Sequence, residues 1–314
     1  MKVITFAVPP PDFDPFTAPN EKLRRYGYPR RPDPQAEPVL RGLWDKALSQ
    51  RPTIVTPSLV ETAWRSRPYA ARAKARMGSG VERNQDQLGP DGPLGGQWGG
   101  AIVDLGLPLN PADAFTYVYG EWRVPAIDTT RPAEPGTQHV AFWIGIGGWN
   151  TDNLWQAGVV AQMTGNTVSY FAVTDLLPSN WVAISNFPIA AGDLITMLVC
   201  APQVADGFDL NAFAMMLNQR TQIAMIVGTS GPTDPPVDGS TVEWIVEGTN
   251  TEMPNFGTMS FTQCIAGNQL HAVNLTDMDA FTVAAESPIT GDLLVTATID
   301  APQDTVDVSW FAAT

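Results

Sequence analysis

Two glutamates stand four residues apart in the segment Thr241–Glu247, which is rich in strand-forming residues. In a strand, Glu243 and Glu247 share one face, while Trp244 and Val246 share the other and face the core. The two carboxylates then lie about 13 Å apart, at about 3.3 Å per residue. A glycosidase acid–nucleophile pair needs about 5–9.5 Å, so a catalytic glutamate here requires a partner from another strand. Taken alone, the segment favours ordinary, solvent-facing glutamates.

A glutamine stands among apolar residues in a second predicted strand, Leu154–Val159. Gln156 either satisfies a buried backbone group or lines a site with its amide, and by itself the structural interpretation is favoured. The preceding stretch, Trp143–Asn150, combines two tryptophans with three glycines. Aromatic rings beside glycines line grooves in many proteins, but they also fill barrel corners.

The sequence lacks the residue patterns that metal binding, serine catalysis and phosphate binding need. His139 and His271 have no metal-ligand spacing, and no G-x-S-x-G elbow or phosphate-binding glycine loop occurs. We therefore predict neither a metal nor a cofactor. Cys200 and Cys264 could form one disulfide bridge or remain two buried thiols, and the apolar run that ends at Cys200 favours thiols.

Charge is divided unevenly along the 314 residues. Residues 1–83 hold 15 of the 18 basic residues and 8 acidic ones, a net charge of +7, whereas residues 84–314 carry −21. A body of that charge repels phosphate backbones, so we expect no nucleic-acid partner. No run of about 18 apolar residues occurs, so we expect no membrane span. The basic segment has an acidic partner in its own chain, which predicts an intramolecular contact between the two.

Three zones with different patterns follow one another. Residues 1–35 are Pro-rich and should be extended apart from a short helix at Asn20–Tyr26. Residues 36–77 look helical, with a second helix predicted at Ser58–Met77. A Gly-rich linker follows, and from Gln97 onward about fourteen short runs predict an all-β sandwich or barrel of antiparallel strands. The predicted division is a basic N-terminal extension at 1–83 that would serve as a propeptide, a linker at 84–96 and a β-domain at 97–314.

The first residues do not indicate a route of export. The apolar stretch Val3–Val8 is too short for the core of a signal peptide. Either the protein is not exported by that route, or the sequence lacks its leader.

Taken in order, these segments resemble the glutamic endopeptidases of the eqolisin family. Leu154–Gly158 is similar to the motif that holds the family's catalytic glutamine, and Val242–Glu247 to the motif whose last glutamate is catalytic. The other similar segments are Gln97–Ala101, Gly120–Pro125, Ala141–Gly148, Tyr170–Asp193 and Pro254–Phe261.

The resemblance implies two packed antiparallel sheets of concanavalin or jelly-roll type, with Gln156 and Glu247 meeting on the concave face. It implies an acid-active endopeptidase, secreted and made as a zymogen, that acts on polypeptides without a cofactor. Glu247 would be the general base for water, and Gln156 would stabilise the oxyanion. Five further residues are expected around the substrate: Trp98, Trp143, Gly147, Asp175 and Glu243.

Three positions depart from the family pattern. Gly147 stands where the family has Asp, Asp175 where it has Glu, and Val173 where it has Trp. These departures predict a different substrate groove.

Two alternative functions come from other classes. One is a sandwich without catalysis that binds glycans through exposed Trp, since the chain has ten. The other is a β-sandwich glycoside hydrolase that uses Glu121 and Glu247 from different strands. The recurrence of Gln156 and Glu247 inside extended matching motifs favours the peptidase.

Overall fold

The structure is a computed structural model of the chain. It describes residues 3–49, 51–64, 97–130, 136–177, 179–201, 211–232, 237–248, 253–268, 272–287 and 291–311. These ranges contain two α-helices, α1 (Asn20–Arg25) and α2 (Pro38–Ser49), one short 3₁₀ helix (Ala301–Gln303) and nineteen strands, numbered in chain order. No helix within them is long and apolar enough to cross a membrane.

The strands form two sheets, which we call the front sheet and the back sheet. The front sheet has eight strands in the order β16-β4-β13-β6-β7-β8-β9-β3. Its strands are β3 (Leu59–Glu61), β4 (Trp98–Asp104), β6 (Thr137–Gly147), β7 (Leu154–Thr164), β8 (Thr167–Leu176), β9 (Val182–Ile184), β13 (Thr241–Gly248) and β16 (Ala280–Val283). Every pair of neighbours in it is antiparallel.

The back sheet has eleven strands, with the main order β1-β12-β11-β10-β5-β14-β19-β18-β17. Its strands are β1 (Val3–Thr5), β2 (Thr53–Val55), β5 (Tyr117–Arg123), β10 (Leu194–Cys200), β11 (Asn211–Asn218), β12 (Ile223–Pro232), β14 (Thr258–Gly267), β15 (Ala272–Asn274), β17 (Ala285–Glu286), β18 (Leu293–Asp300) and β19 (Thr305–Trp310). β15 pairs with β14, and β2 pairs in parallel with β12.

The main core lies between the two sheets and is filled by alternate residues of their strands. Trp122 from the back sheet and Phe142, Trp155 and Trp244 from the front sheet all belong to it. Burying a large apolar side chain of this kind contributes about 1.5–3 kcal/mol. The predicted all-β sandwich of two sheets is therefore confirmed, and each of the fourteen predicted runs overlaps a strand.

The residues that alternate with the core residues along each strand point away from this core. Other side chains cover them on both sheets. On the back sheet, α1 and α2 pack Leu23, Trp44 and Leu48 against Met215 and Ile226. On the front sheet, a second apolar cluster surrounds Trp143. The sandwich is thus two-sided, with the N-terminal helices on the face opposite to the one that carries Gln156 and Glu247.

The N-terminal segment also contributes three strands, which the sequence did not predict. β1 and β2 pair with successive parts of β12 along the edge that β11 does not occupy, and β3 pairs with β9 at the edge of the front sheet. The helix predicted from Ser58 is therefore wrong at Leu59–Glu61, because pairing with a distant strand outweighs local helical preference. Residues 65–77 of that prediction and the linker at 84–96 lie outside the described residues.

Both cysteines are buried free thiols. Cys264 lies in the main core, whereas Cys200 lies beneath α2 on the outer face of the back sheet. Burial raises the pKa of both thiols, which keeps them protonated at neutral pH.

Candidate active site

Two strands of the front sheet carry the glutamine and the glutamate that the resemblance selects. On β7, Trp155 and Ala157 enter the main core, so Gln156 points to the outer face. On β13, Trp244 enters the core, so Glu247 points to the same outer face as Gln156. Only β6 separates the two strands.

Tryptophans hold the glutamate. The indole Nε1 of Trp143 donates a hydrogen bond of 3.1 Å to Oε2 of Glu247. Trp98 lies directly opposite Glu247 on β4, and its ring meets that of Trp143 edge-on at 5.0 Å between centroids. The Nε1 of Trp98 is buried and has no hydrogen-bond partner in the described part of the chain. An indole donor therefore remains available beside the carboxylate.

An aspartate holds the glutamine. Gln156 and Asp175 are cross-strand partners, and the amide Nε2 donates to Oδ2 of Asp175 at 3.3 Å. Burial raises the pKa of Asp175 well above its usual range, and the charge of Glu247 adds to this, while the hydrogen bond from Gln156 opposes it. Oε1 of Gln156 and Oδ1 of Asp175 have no partners among the described residues. These two atoms are thus available for further hydrogen bonds in the site.

The second glutamate of β13 does not face solvent. Glu243 is completely buried, which corrects the expectation from its strand alone. Burial raises the pKa of Glu243 well above its usual range, a side-chain hydrogen bond with Thr241 opposes this rise, and the charges of Asp238 and Asp104 add to it. A neutral, protonated Glu243 is the form that this environment favours.

Glycine at position 147 is required by the backbone. Gly147 has a φ of +85°, and a Cβ there would lie 2.3 Å from the carbonyl oxygen of Asn153. An aspartate in this conformation would be strained and would collide with the backbone. The end of β6 therefore offers no side chain to a substrate.

Glu121 lies on the other side of the sandwich. Its neighbours on β5 alternate, with Val118 and Trp122 in the main core and Tyr119 on the outer face of the back sheet. Glu121 shares the face of Tyr119, accepts a 2.5 Å hydrogen bond from its hydroxyl and pairs with Lys46 at 2.8 Å. Glu121 and Glu247 point away from each other, so they cannot act as a glycosidase pair.

No group of three or more His, Cys, Asp or Glu that could hold a metal occurs among the described residues. His139 lies on the front sheet, and His271 lies outside the described ranges.

The site is closed to solvent. Gln156, Asp175 and Trp143 are not exposed, and Glu247 is 2% exposed. Trp64, which the sequence did not single out, lies on the same face, with its ring against Phe171 and His139.

Comparisons with known proteins agree with this geometry. The Peptidase A4 family matches this chain over residues 96–310. Among solved structures, scytalido-glutamic peptidase with a transition state analog inhibitor is similar at 20% identity and a TM-score of 0.55. The match covers 69% of this chain and 98% of that one. SCP-B, a member of the eqolisin family in complex with the tripeptide Ala-Ile-His, is similar at 19% identity and a TM-score of 0.51, with the same coverage. No curated protein matches.

The fold and the matched family define a peptide-bond hydrolase. The chain belongs to the Peptidase A4 family and has the sandwich fold of the eqolisin glutamic peptidases. The glycan-binding and glycosidase alternatives are not favoured.

Proposed function

We propose that this peptidase is an acid-active endopeptidase in which Glu247 and Gln156 form the catalytic dyad. Glu247 takes a proton from the attacking water and returns it to the leaving amine. The amide of Gln156 helps hold the water and donates to the oxyanion of the tetrahedral intermediate. The observation that carries the proposal is that β13 and β7 direct the two side chains from one face of the front sheet, on either side of β6.

The electrostatics support this division of roles. Asp175 is kept neutral by burial, so it can anchor the glutamine amide without adding a second charge beside the general base. Trp98 lies opposite Glu247, and its indole N–H, which has no partner among the described residues, is suited to donate to a substrate carbonyl. The similar solved structures hold a transition state analog inhibitor and a tripeptide. By analogy, polypeptides are the proposed substrates.

Loss of the amide tests the role of Gln156. The purified chain is incubated with an unfolded polypeptide across acid pH, and new amino termini are counted. Gln156→Ala should lower kcat by about 10²–10³-fold, the usual effect of losing an oxyanion donor. The control is Thr164→Ala, an exposed change on the same strand and face, which should cleave at the wild-type rate. Equal rates for Gln156→Ala and wild type would refute the assignment.

We further propose that the N-terminal segment keeps the full-length chain in a closed, zymogen-like state. The burial of Gln156 and Glu247 supports this, because an extended peptide cannot reach them. Backbone hydrogen bonds join Thr62 and Trp64 to Trp181, and they carry the Trp64 ring onto the face of the dyad.

One contact of this segment weakens in acid. Burial lowers the pKa of His139, which lies against Trp64. A group whose pKa is lower in the folded state than in the unfolded state contributes stability at pH values above its unfolded-state pKa. That stability is lost as the pH falls through its folded-state pKa. Acid therefore favours release of the segment.

Two measurements test the closed state. Terminal sequencing before and after exposure to acid shows whether the chain is cut between residues 64 and 97. Trp64→Ala should raise cleavage of substrate at neutral pH, while Val60→Ala, an exposed change on the adjacent β3, should leave it unchanged. If Trp64→Ala is no more active at neutral pH than wild type, the closed state does not depend on this contact. An extracellular location remains a prediction.

A further inference from the structure

The indole of Trp143 lies between the two residues of the proposed dyad. It stands on β6, and its Nε1 donates to Glu247 on one side. Its far edge, at Cζ3, is 2.9 Å from the point that a Cβ on Gly145 would occupy, and the Cβ of Gln156 is 3.1 Å from the same point. One rigid ring therefore contacts the general base at one end and lies beside the glutamine at the other.

Two glycines lie against Trp143. Gly158 lies directly opposite Trp143 on β7, and a Cβ on Gly158 would be 2.6 Å from the Cβ of Trp143. A Cβ on Gly145 would also meet Trp143, and contacts below 3.0 Å are essentially never seen for real Cβ atoms. Glycine inside a strand weakens it, and one reason to find it there is a close approach by another group. At Gly145 the approaching group is the Trp143 indole, and at Gly158 it is the backbone of β6 together with the Cβ of Trp143.

We propose that Gly145 and Gly158 are positioning residues for peptide hydrolysis. Gly158 admits the backbone and Cβ of Trp143, and Gly145 admits its indole, so together they form a cradle for this residue. The indole then sets the direction of the Glu247 carboxylate and its separation from Gln156. The inference rests on the proposed roles of Glu247 and Gln156. It gives the glycines near Trp143 a role in orienting its ring, which is different from contact with substrate.

The single hydrogen-bond donor of the Trp143 side chain supports this role. An indole has a single N–H donor, and that of Trp143 is already given to Glu247. A donated hydrogen bond favours the ionised carboxylate, which is the form that a general base needs. The edge-on ring of Trp98 restrains the indole from a second direction. A displacement of about 1 Å in such an arrangement can lower the rate about 100-fold.

Gly145→Ala is the variant that tests the cradle without breaking the sheet. The added methyl would meet the side-chain atoms Cζ3 of Trp143 and Cδ1 of Leu154. At Gly158 it would instead meet the carbonyl oxygen of Phe142 at 2.2 Å, so that variant risks unfolding. Gly42→Ala is the control, because a Cβ there, on α2, has nothing within 4 Å. A cooperative thermal transition shows that each protein is folded.

The kinetic prediction is a pattern across single and double variants. Gly145→Ala should lower kcat about 100-fold with little change in KM, and Gly42→Ala should match wild type. Trp143→Phe, which keeps a ring but removes the donor, should move the acid limb of the kcat/KM profile to higher pH. Adding Gly145→Ala to Trp143→Phe should cost less than about threefold more, because coupled residues are not additive. The proposal would be overturned if the losses of kcat in the two single variants multiplied in the double variant, or if Gly145→Ala were fully active.

A spectroscopic measurement separates this proposal from the dyad itself. The indole N–H resonance of Trp143, observed in ¹⁵N-labelled full-length protein, should follow a titration that is absent in Glu247→Gln. At fixed pH it should move in Gly145→Ala and stay in place in Gly42→Ala. An unmoved resonance in Gly145→Ala would overturn the cradle even in an active enzyme. Full activity of Glu247→Gln would instead refute the dyad while leaving the resonance test of the cradle valid.

Discussion

Gln156 and Asp175 lie directly opposite each other on β7 and β8, and the amide Nε2 of Gln156 donates to Oδ2 of Asp175 at 3.3 Å. Both side chains are completely buried. The direction in which the amide faces the site therefore depends on Asp175. Burial favours the neutral form of this carboxyl, so the contact does not depend on a second charge in the site.

Changes at Asp175 should separate shape from charge. Asp175→Asn keeps a neutral polar group of nearly the same size, so we expect it to retain most of the wild-type kcat/KM. Asp175→Ala removes the anchor and should lower kcat/KM about 10- to 100-fold through misplacement of the Gln156 amide. Steady-state kinetics on one peptide check both. A severe loss in Asp175→Asn would show that the site needs the ionised carboxylate.

Glu243 should make the fold more stable in acid than at neutral pH. Burial raises its folded-state pKa well above the ordinary value of 4.5, so the stabilisation is complete below that value and is lost as pH rises through the folded pKa. Glu243→Gln should remove this dependence and raise the urea midpoint at about pH 7 relative to about pH 4. Glu61→Gln, on exposed β3, should leave the wild-type dependence intact. A urea midpoint of Glu243→Gln that follows pH as the wild type does would show that this carboxyl is not the cause.

The ion pair between Lys46 and Glu121 should stabilise the docking of α2. Glu121 is nearly buried, whereas Lys46 is 39% exposed. Removing one partner of a fully buried pair costs about 3–5 kcal/mol, and solvent screening at Lys46 lowers the expected loss to about 1–2 kcal/mol for Lys46→Ala. Asp45→Asn, which breaks the more exposed Arg41–Asp45 pair on the same helix, should cost about 0.5 kcal/mol or less. Chemical denaturation at neutral pH measures both, and equal losses would contradict the burial argument.

Much of the sandwich could be predicted because strand alternation is a local signal. The alternation is visible in the residues of Leu154–Thr164 and Thr241–Gly248. Alternate positions of each strand point to the main core and to the outer apolar cluster. The short strand Leu59–Glu61 could not be found this way, because it exists by pairing with Val182–Ile184 more than a hundred residues away. Edge strands of three residues carry too few positions for a pattern.

The proposed dyad could be named from the sequence, but its surroundings could not. The hydrogen bond from Trp143 to Glu247 joins residues 104 positions apart, and it depends on the register between β6 and β13. The burial of Glu243 also depends on what covers the outer face, which alternation does not report. Gly145 has a visible signal, a glycine between apolar residues in a strand, whose meaning requires the position of the Trp143 ring.

The central claim is that Glu247 is the general base of a peptide hydrolase. The most direct test is the rate of peptide-bond cleavage by purified Glu247→Gln across acid pH, beside wild type and a folded control, Glu61→Gln. The amide keeps the shape of the side chain but cannot accept the proton of water, so kcat should fall by about 10²–10⁴-fold at every pH. Cleavage by Glu247→Gln at the wild-type rate would contradict the account.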